Sequence, residues 1–224
     1  MTRYILQIKL ESDAAFSRGD GVAGTVDSEV QHDQNGFPFL NGRTIKGLLV
    51  QECADILASL SKNRSQWEQH AQRLFGAPGN LPGDGAIMTI GSALLPEDLR
   101  LMMAAKGDID EDGGGRIKPT EMLDLFTDIR NQTAIDDSGV ARDGSLRRIR
   151  VILRKTFFEA ELAFILQPTD HDLALLAACI KAFRRAGTGI TRGLGRLSAE
   201  LLDQELQPVT ECYFEKFLKE VHEV

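Results

Sequence analysis

Residues 157–202 have the sequence FFEAELAFILQPTDHDLALLAACIKAFRRAGTGITRGLGRLSAELL, which predicts a strand, a helix, a glycine-rich loop and a second strand in succession. Apolar residues recur at every second position over 158–166, a pattern typical of a strand with one buried face. Apolar residues spaced three and four apart then predict a helix over 170–186, which Gly187 is expected to end. Residues 197–202 are predicted to form the last strand.

The first part of the chain repeats this order of elements. A strand, a helix and a strand, followed by a second such set, is the order of a ferredoxin-like (RRM-like) α+β domain. We therefore predict one domain over residues 1–224. Loop-rich stretches at about 61–85 and 104–153 are predicted to be insertions that are hard to place in the core. The further predicted elements are a strand over 4–10, a helix over 44–60, a strand over 86–90 and helices over 96–105 and 211–221.

Composition narrows the class of protein. The 224 residues are 42% hydrophobic, enough for one packed core, and no apolar run approaches the length that spans a membrane. The first residues alternate like a strand and do not resemble a signal peptide. Three cysteines far apart in the sequence fit neither a disulfide framework nor a zinc site. We expect a cytoplasmic protein with no membrane partner.

The charge is unevenly distributed along the chain. The formal net charge is −7, yet residues 130–197 contain twelve Lys and Arg against seven Asp and Glu. An acidic protein with one basic stripe is compatible with binding a nucleic-acid strand along one face. On charge alone, an ordinary solvated surface is an equally good interpretation.

The loop between the last helix and the last strand is rich in glycine and arginine. Backbone N–H groups of glycines can approach phosphate oxygens closely, and arginines add paired donors. A mere tight connection would need one or two glycines, so four of them favour anion binding. The residues concerned are Gly187, Gly189, Gly193, Gly195, Arg192 and Arg196.

Residues 110–121, DEDGGGRIKPTE, partly match a calcium-binding loop. Aspartates stand at the first and third positions and Glu121 at the twelfth. However, Gly114 at the fifth position supplies no side-chain oxygen, Pro119 stiffens the exit, and no second loop is present to pair with it. A solvated acidic hinge is the favoured interpretation, and calcium binding is not expected.

The glycine-rich loop resembles the C-terminal motif of the RAMP superfamily, the RNA-binding proteins of CRISPR systems. Residues 24–47, GTVDSEVQHDQNGFPFLNGRTIKG, resemble the front segment of type III effector backbone subunits of the Csm and Cmr kind. Two further similarities are Leu-Phe-Gly at 74–76 and RNQTAIDDSGVARDGSLRR at 130–148. The four similarities follow one another in order over most of the chain.

Three positions depart from the family pattern. Asn41 stands where the family usually has proline, and Arg43 where it usually has serine, so the turn before the first helix is expected to differ. Asp137 replaces a common arginine, which would weaken one contact to the guide.

The resemblance implies a backbone subunit that assembles along a guide RNA. The glycine loop and the start of the first helix, with Arg43 and Lys46, would hold the guide backbone. A β-hairpin thumb at about 130–153 would wedge between bases of the guide–target duplex. Apolar wedge residues Ile135 and Val140 would be flanked by arginines for phosphates. The thumb arginines concerned are Arg130, Arg142, Arg147 and Arg148. The implied partners are crRNA, target RNA, other RAMP subunits, a small subunit and a large signalling subunit.

The resemblance also implies an endoribonuclease that acts within a ribonucleoprotein. Asp27 matches the family aspartate beside which the target strand is cut, so it is the predicted catalytic residue and metal ligand. Mg²⁺ (or Mn²⁺) accepts one or two carboxylates and completes its shell with water and phosphate. Attack by the neighbouring ribose 2′-hydroxyl would leave a cyclic phosphate and a 5′-hydroxyl. His32 is the second candidate, as a general acid.

Three alternative functions stay open. A non-cleaving scaffold or capping subunit would keep the RNA contacts without the cut. A guide-processing endoribonuclease would use a histidine, for which His32 is the best candidate. A calcium-binding regulatory protein would depend on residues 110–121. The four histidines, at 32, 70, 171 and 222, form no obvious pair in the sequence, which argues against a two-histidine ribonuclease.

Overall fold

The computed structural model describes residues 2–77, 85–107, 117–133, 139–140, 142 and 144–222. This part of the chain contains six strands and six α-helices. The strands are β1 (Thr2–Leu10), β2 (Met88–Ile90), β3 (Thr127–Gln132), β4 (Arg147–Ile152), β5 (Phe157–Phe164) and β6 (Leu197–Leu202). The helices are α1 (Gly42–Ser59), α2 (Arg64–Phe75), α3 (Glu97–Gly107), α4 (Pro119–Phe126), α5 (Asp170–Ala182) and α6 (Thr210–His222). Of the helices in these described ranges, none is both long and apolar enough to span a bilayer.

Four strands form one antiparallel sheet in the order β2-β5-β1-β6. The central strand β1 pairs with β5 through Tyr4 and Leu162, and with β6 through Ile8 and Ala199. Helix α1 connects β1 to the β2 edge, and α5 connects β5 to the β6 edge. Two interleaved strand–helix–strand units around one antiparallel sheet confirm the predicted ferredoxin-like α+β core.

The core lies on the face of the sheet that α1 and α5 cover. Strand alternation places Leu6, Ile8 and Leu10 on this face, where each is 0% exposed. Burial of one such side chain contributes about 1.5–3 kcal/mol. Between them the intervening residues, Gln7 and Lys9, are half-buried on the other face. The alternation in the sequence therefore predicts correctly which side of β1 faces the helices.

The helix predicted over 170–186 is shorter than expected. Helix α5 ends at Ala182, and Phe183 already has extended backbone (φ −68°, ψ 90°). The following residues form a ladder with the chain beyond the glycine loop, because Ala186 N–H donates to Gly195 O at 2.9 Å. Phe183 and Ala186 are buried in this ladder. In the sequence their apolar side chains continue the helical spacing, so the predicted helix is too long. The prediction that Gly187 ends the helix is therefore wrong.

The stretches predicted to be loop-rich insertions supply part of the core. Helix α2 buries Trp67 at 1% exposure, and Leu74 is 0% exposed. In the second stretch, α4 buries Met122 and Leu123, and β4 buries Ile152. The prediction that these stretches lie outside the core is wrong for these elements. The polar composition of α2 gave no sign of a helix whose buried face consists of only three residues, Trp67, Leu74 and Phe75.

Helices α2, α5 and α6 meet around a buried carboxylate, Asp172, which is 0% exposed. Asp172 accepts hydrogen bonds from Thr169 N–H at 2.8 Å, Arg73 Nε at 2.9 Å and His70 Nδ1 at 2.8 Å. The His70 ring stacks on His171, with 5.3 Å between ring centroids. The structure thus brings together two histidines that the sequence did not pair. Both are engaged by carboxylates, since His171 Nε2 lies 3.1 Å from Glu220.

We expect Asp172 to stabilise the fold above about pH 4. Burial raises the pKa of its carboxyl, but the bonds from Thr169, His70 and Arg73 outweigh burial and hold the pKa below the ordinary value. A carboxyl with a lowered folded-state pKa contributes stability above its unfolded pKa and loses it as pH falls through the folded one. Asp172→Asn is therefore expected to cost about 1.5–3 kcal/mol at pH 7 and less at pH 2. Urea unfolding from pH 2 to pH 7 measures this difference.

Asp170 provides the matched control for this measurement. Asp170 lies on the same helix as Asp172, and its exposed carboxylate pairs with Lys216 of α6 at 2.8 Å, so Asp170→Asn should change stability by less than about 1 kcal/mol. An Asp172→Asn protein with the same pH dependence as the original chain would contradict the assigned role of this carboxylate.

Candidate functional site

The segment around Asp27 lies against β4, which belongs to the predicted thumb. Asp27 N–H donates to Arg148 O at 2.7 Å, and Arg150 N–H donates to Ser28 O at 3.0 Å. Ser28 and Ile149 form an isolated parallel bridge, so the segment runs alongside the β3–β4 pair. The structure therefore brings the predicted catalytic aspartate to the base of the predicted thumb.

The Asp27 side chain is exposed, and one of its two carboxylate oxygens accepts a hydrogen bond. Its Oδ2 accepts the backbone N–H of Arg148 at 2.7 Å, while Oδ1 accepts no hydrogen bond within the described part of the chain. Arg147 and Arg148 are exposed beside it. The site thus offers one open carboxylate oxygen on a segment that bonds the backbone of an exposed arginine, Arg148.

Beneath this segment lies a buried ion pair between Glu29 and Arg150, which are 2% and 9% exposed. Arg150 Nε lies 2.9 Å from Glu29 Oε1, and its Nη1 donates to Asp124 at 2.6 Å and to Thr127 Oγ1 at 3.0 Å. Arg150 belongs to the basic stripe counted in the sequence, yet it faces inward and is not available to a ligand. Sequence reasoning missed both residues, because nothing in the pattern separates a buried arginine from its exposed neighbours.

His32, the second candidate, is placed in a different local structure. It forms a bridge with Pro38 inside the front loop, and its Nδ1 lies 3.0 Å from the backbone oxygen of Asp33. Since a carbonyl oxygen can only accept, Nδ1 carries the proton and a neutral ring leaves Nε2 as an acceptor. Among the described residues, no hydrogen bond connects His32 to Asp27.

The donor set at Asp27 suits one kind of metal site. Within the described residues no group of three or more His, Cys, Asp or Glu side chains could hold a metal ion together. Asp27 alone would contribute one carboxylate oxygen. Mg²⁺ tolerates such a set, because it keeps several waters and takes further oxygens from substrate phosphates. Asp27 therefore fits Mg²⁺ as a single protein ligand.

The four loop glycines all have positive φ, between 73° and 90°. Two of them also pack directly against backbone. A Cβ on Gly187 would lie 2.6 Å from Ala15 O, and one on Gly195 would lie 2.0 Å from Ala186 O. The glycine content is therefore explained in part by the folding of the loop itself.

The loop presents fewer backbone donors than its glycine count suggests. Gly195 is buried and donates its N–H to Asp13 O at 2.8 Å, and Arg196 N–H donates to Ser12 Oγ at 3.0 Å. By contrast, the N–H groups of Gly187 and Gly189 donate to no acceptor in the described ranges. The N–H group of Gly193 likewise donates to no acceptor among the described residues. The N–H of Gly195 is therefore not free for a phosphate, and the candidate cradle consists of Gly187, Gly189 and Gly193.

The arginines predicted to bind RNA fall into two groups. Arg130 is paired with Asp13 at 2.7 Å, and Arg192 Nη1 donates to Gln132 Oε1 at 2.6 Å. These bonds attach the glycine loop and the front of the chain to the thumb base. The side chain of Arg196 is exposed and forms no hydrogen bond or ion pair within the described residues.

The two positions that depart from the family pattern, 41 and 43, form the start of α1. Asn41 is the N-cap, and its side chain accepts the Arg43 N–H at 2.9 Å. Gly42 packs against β2, where an added Cβ would lie 2.3 Å from Ile90 O. The Arg43 side chain is exposed and that of Lys46 is half-buried.

The structure describes the base of the predicted thumb. Strands β3 and β4 pair antiparallel, with Arg130 opposite Ile149 and Gln132 opposite Arg147. Val140 is 61% exposed and Arg142 is exposed. The predicted wedge residue Ile135 lies outside the described residues.

Residues 110–116 of the calcium-loop candidate also lie outside the described residues. Its last position, Glu121, is engaged locally. Glu121 Oε2 accepts the Lys118 N–H at 3.0 Å in the capping box of α4.

A sequence profile of the RAMP superfamily matches residues 7–198. The chain belongs to the RAMP superfamily. Its fold is similar to a chain in the cryo-EM structure of the Type III-B Cmr-beta bound to cognate target RNA, with a TM-score of 0.62 and 13% identity over 90% of this chain and 97% of that chain. A chain of Type III-B Cmr-beta in the apo state gives 0.60 and 14%, over 91% and 98%. A chain of a Type IV-B CRISPR complex gives 0.58 and 15%, over 92% of each.

No match was found among curated proteins. At 13–15% identity, the solved structures show a common fold only. The roles of individual residues are therefore argued from the geometry of this RAMP protein. That geometry joins Asp27 to the thumb strand and joins the thumb base to the glycine loop through Gln132 and Asp13.

Proposed function

We propose that this RAMP protein is a guide-RNA-binding backbone subunit of a type III CRISPR interference complex that cleaves complementary target RNA in a metal-dependent way. Its partners would be crRNA, target RNA, other RAMP subunits, a small subunit and a large signalling subunit. The family membership and the fold shared with chains of Cmr-beta support the class of complex.

One observation carries the proposed cleavage. Asp27 is held by two 2.7 Å hydrogen bonds to the backbone of Arg148, one from its own N–H and one to its Oδ2, while Oδ1 accepts no hydrogen bond in the described ranges. A thumb that separates nucleobases of a guide–target duplex would leave the target backbone next to the foot of the hairpin, where Asp27 lies. The open carboxylate oxygen and the Arg148 side chain would then lie next to a displaced phosphate.

The chain's own groups would divide the chemistry. Arg148 would hold a non-bridging phosphate oxygen, and Asp27 would orient water and metal at the same phosphate. Bound Mg²⁺ would supply Lewis acidity at the scissile group. The ribose 2′-hydroxyl would attack the adjacent phosphorus and displace the 5′-oxygen, which leaves a 2′,3′-cyclic phosphate and a 5′-hydroxyl.

A non-cleaving scaffold subunit is favoured by one specific contact. The Asp27 carboxylate accepts the Arg148 N–H, which is a structural reason for an acidic residue at this position without any catalysis. The two functions differ in what Asp27→Asn does, since asparagine keeps an oxygen for Arg148 and loses the charge.

The test of the proposed function is co-purification from cells that carry the neighbouring operon, followed by sequencing of the bound RNA. Short guides with a common repeat-derived 5′ tag are expected. The purified complex should then cut a labelled complementary RNA with Mg²⁺ and not with EDTA. Recovery without guide RNA would contradict the backbone-subunit proposal, and binding without Mg²⁺-dependent cutting would favour the scaffold function.

We expect Arg196→Ala to weaken RNA binding regardless of RNA sequence. Its exposed side chain is not held by any described acceptor, so its loss removes about one phosphate contact and lowers the slope of log K against log salt by about one. Arg192→Ala should show the same loss and also loosen the thumb base, because Arg192 bonds Gln132. Fluorescence anisotropy at several salt concentrations measures both effects.

Arg3→Ala is the control for nonspecific charge loss. Arg3 is exposed and pairs with Glu161 at 3.1 Å on the opposite face of the sheet from the core. Equal salt slopes for Arg196→Ala and the original chain would remove Arg196 from the RNA interface.

A further inference from the structure

The Glu29–Arg150 ion pair is the deepest polar contact between the front loop and the thumb. Glu29 follows Asp27 by two residues, and Arg150 follows Arg148 by two residues. In extended backbone, residues two apart point to the same side. The exposed pair Asp27–Arg148 therefore has the buried pair Glu29–Arg150 as its next neighbours along the same two segments.

The surroundings of Glu29 restrain it from several directions. Its Oε1 accepts Val30 N–H at 2.9 Å, its backbone N–H donates to Asp20 O at 2.9 Å, and its backbone oxygen accepts Arg18 N–H at 3.0 Å. Apart from Glu29, Arg150 is bonded to Asp124 and Thr127 at the end of α4 and the start of β3. Through this pair, the front loop, the end of α4 and the start of β3 are all bonded to Arg150 of β4.

A slip of the front segment along β4 would break this arrangement. Moving the segment by one residue would place Ser28 or Val30 opposite Arg150 and leave a buried guanidinium without its carboxylate. An uncompensated buried charge is strongly destabilising, which makes the paired register the favoured one. In some proteins a buried polar pair fixes the register of an element more than it adds net stability.

We propose that Glu29 and Arg150 are positioning residues that hold the Asp27 segment in register on the thumb strand. They touch no substrate, and they act through the backbone bonds between Asp27, Ser28 and the β4 residues Arg148 and Arg150. Only the expected effect on cleavage rests on the proposed function. The register itself is a property of the chain and is measurable without RNA.

The first measurement is hydrogen exchange of the full chain. The amides of Asp27, Arg148 and Arg150 donate across the junction and report its opening. The double variant Glu29→Leu with Arg150→Met removes both charges and fills the space with apolar side chains, so folding is retained while the register loses its determinant. These three amides are expected to exchange about tenfold faster or more, with strand β1 amides unchanged.

The second measurement is cleavage by the reconstituted complex. The double variant is expected to lower kcat for target cutting by about tenfold or more, with little change in KM, because the misplaced Asp27 alters the reacting geometry and not RNA binding. Arg150→Lys keeps a charge near Glu29 but loses the fork that reaches Asp124 and Thr127, and should lie between the double variant and the original chain. It also serves if the double variant fails to fold.

Asp124→Asn is the matched control. Asp124 bonds the same guanidinium from its exposed side, where its side chain is 64% exposed, and leaves the Glu29–Arg150 contact in place. Exchange at Asp27 and Arg148 should stay within about twofold of the original chain.

The outcomes separate the two proposals. Unchanged exchange at Asp27, Arg148 and Arg150 in both the double variant and Arg150→Lys would overturn the positioning role. Faster exchange in these variants, together with an Asp27→Asn protein that still cuts normally, would support the positioning role and refute catalysis by Asp27. Faster exchange with a selective loss of kcat would support both.

Discussion

Asp27→Asn is expected to lower target-RNA cleavage by about 10²–10³-fold while guide and target binding stay nearly unchanged, if Asp27 is the proposed catalytic residue. Asparagine has the same size as aspartate and keeps an oxygen that accepts the Arg148 N–H, so the 2.7 Å contact and the loop position survive. What it removes is the negative charge that would attract Mg²⁺. Single-turnover cleavage of a labelled complementary RNA, with anisotropy for binding, measures the two effects separately.

Asp27→Ala tests catalysis less directly than Asp27→Asn, because the Asp27 carboxylate also bonds the protein backbone. Alanine removes the charge together with the acceptor for Arg148 N–H, so loss of cutting could come from a displaced thumb strand. His32→Ala provides the comparison within the front loop. It should lower cleavage by less than about tenfold, because the His32 ring is turned toward the Asp33 carbonyl.

The result that would contradict catalysis by Asp27 is specific. An Asp27→Asn complex that cuts at the original positions and rates, and still needs Mg²⁺, would place the chemistry in another residue or subunit. Asp27 would then be a structural residue whose carboxylate supports β4, as the scaffold alternative requires.

The ferredoxin-like core was predictable because strand alternation is a local property. Leu6, Ile8 and Leu10 recur every second residue, and burial on one face of a sheet demands this period. Helix ends were less predictable. Phe183 and Ala186 continue the helical spacing past Ala182, yet they are buried in a ladder whose partner strand begins beyond the glycine loop.

The candidate site was predictable only where a motif marks it. The resemblance singled out Asp27, and local composition singled out the glycines. Arg150 and Asp13 had no such signal, because their partners lie more than one hundred residues away in the sequence. An arginine counted as part of a basic stripe can be buried against a glutamate, and the choice between these states is made by the fold and not by the neighbouring residues.

The glycine loop leads to the second large expected effect, for Gly195→Ala. A Cβ at this position would lie 2.0 Å from Ala186 O, and the residue has φ 73°. Left-handed backbone alone costs alanine about 1–2 kcal/mol. The clash must also displace the ladder, with loss of the Ala186–Gly195 bond and the Gly195–Asp13 bond at about 1 kcal/mol each. We expect a total loss on the order of 3–4 kcal/mol in urea unfolding.

Gly193→Ala is the matched control, because it separates backbone strain from close packing. Gly193 has φ 84°, and an added Cβ there meets no atom within 4 Å. Its substitution should therefore cost only the left-handed term, about 1–2 kcal/mol, and leave the loop in place. Both variants would be compared by urea unfolding and by RNA anisotropy at one salt concentration.

The RNA measurement then decides what the loop is for. If the loop holds a guide backbone, Gly195→Ala should weaken RNA binding by about tenfold or more, because it moves Arg196 and the Gly187–Gly189 segment together. Gly193→Ala should bind RNA nearly normally despite its lower stability. Equal affinities for both variants, with the larger stability loss still present in Gly195→Ala, would mean that the glycines serve the folding of this connection alone. In that case the loop backbone would not bind RNA, and any RNA contact in this region would come from the arginine side chains beside the loop.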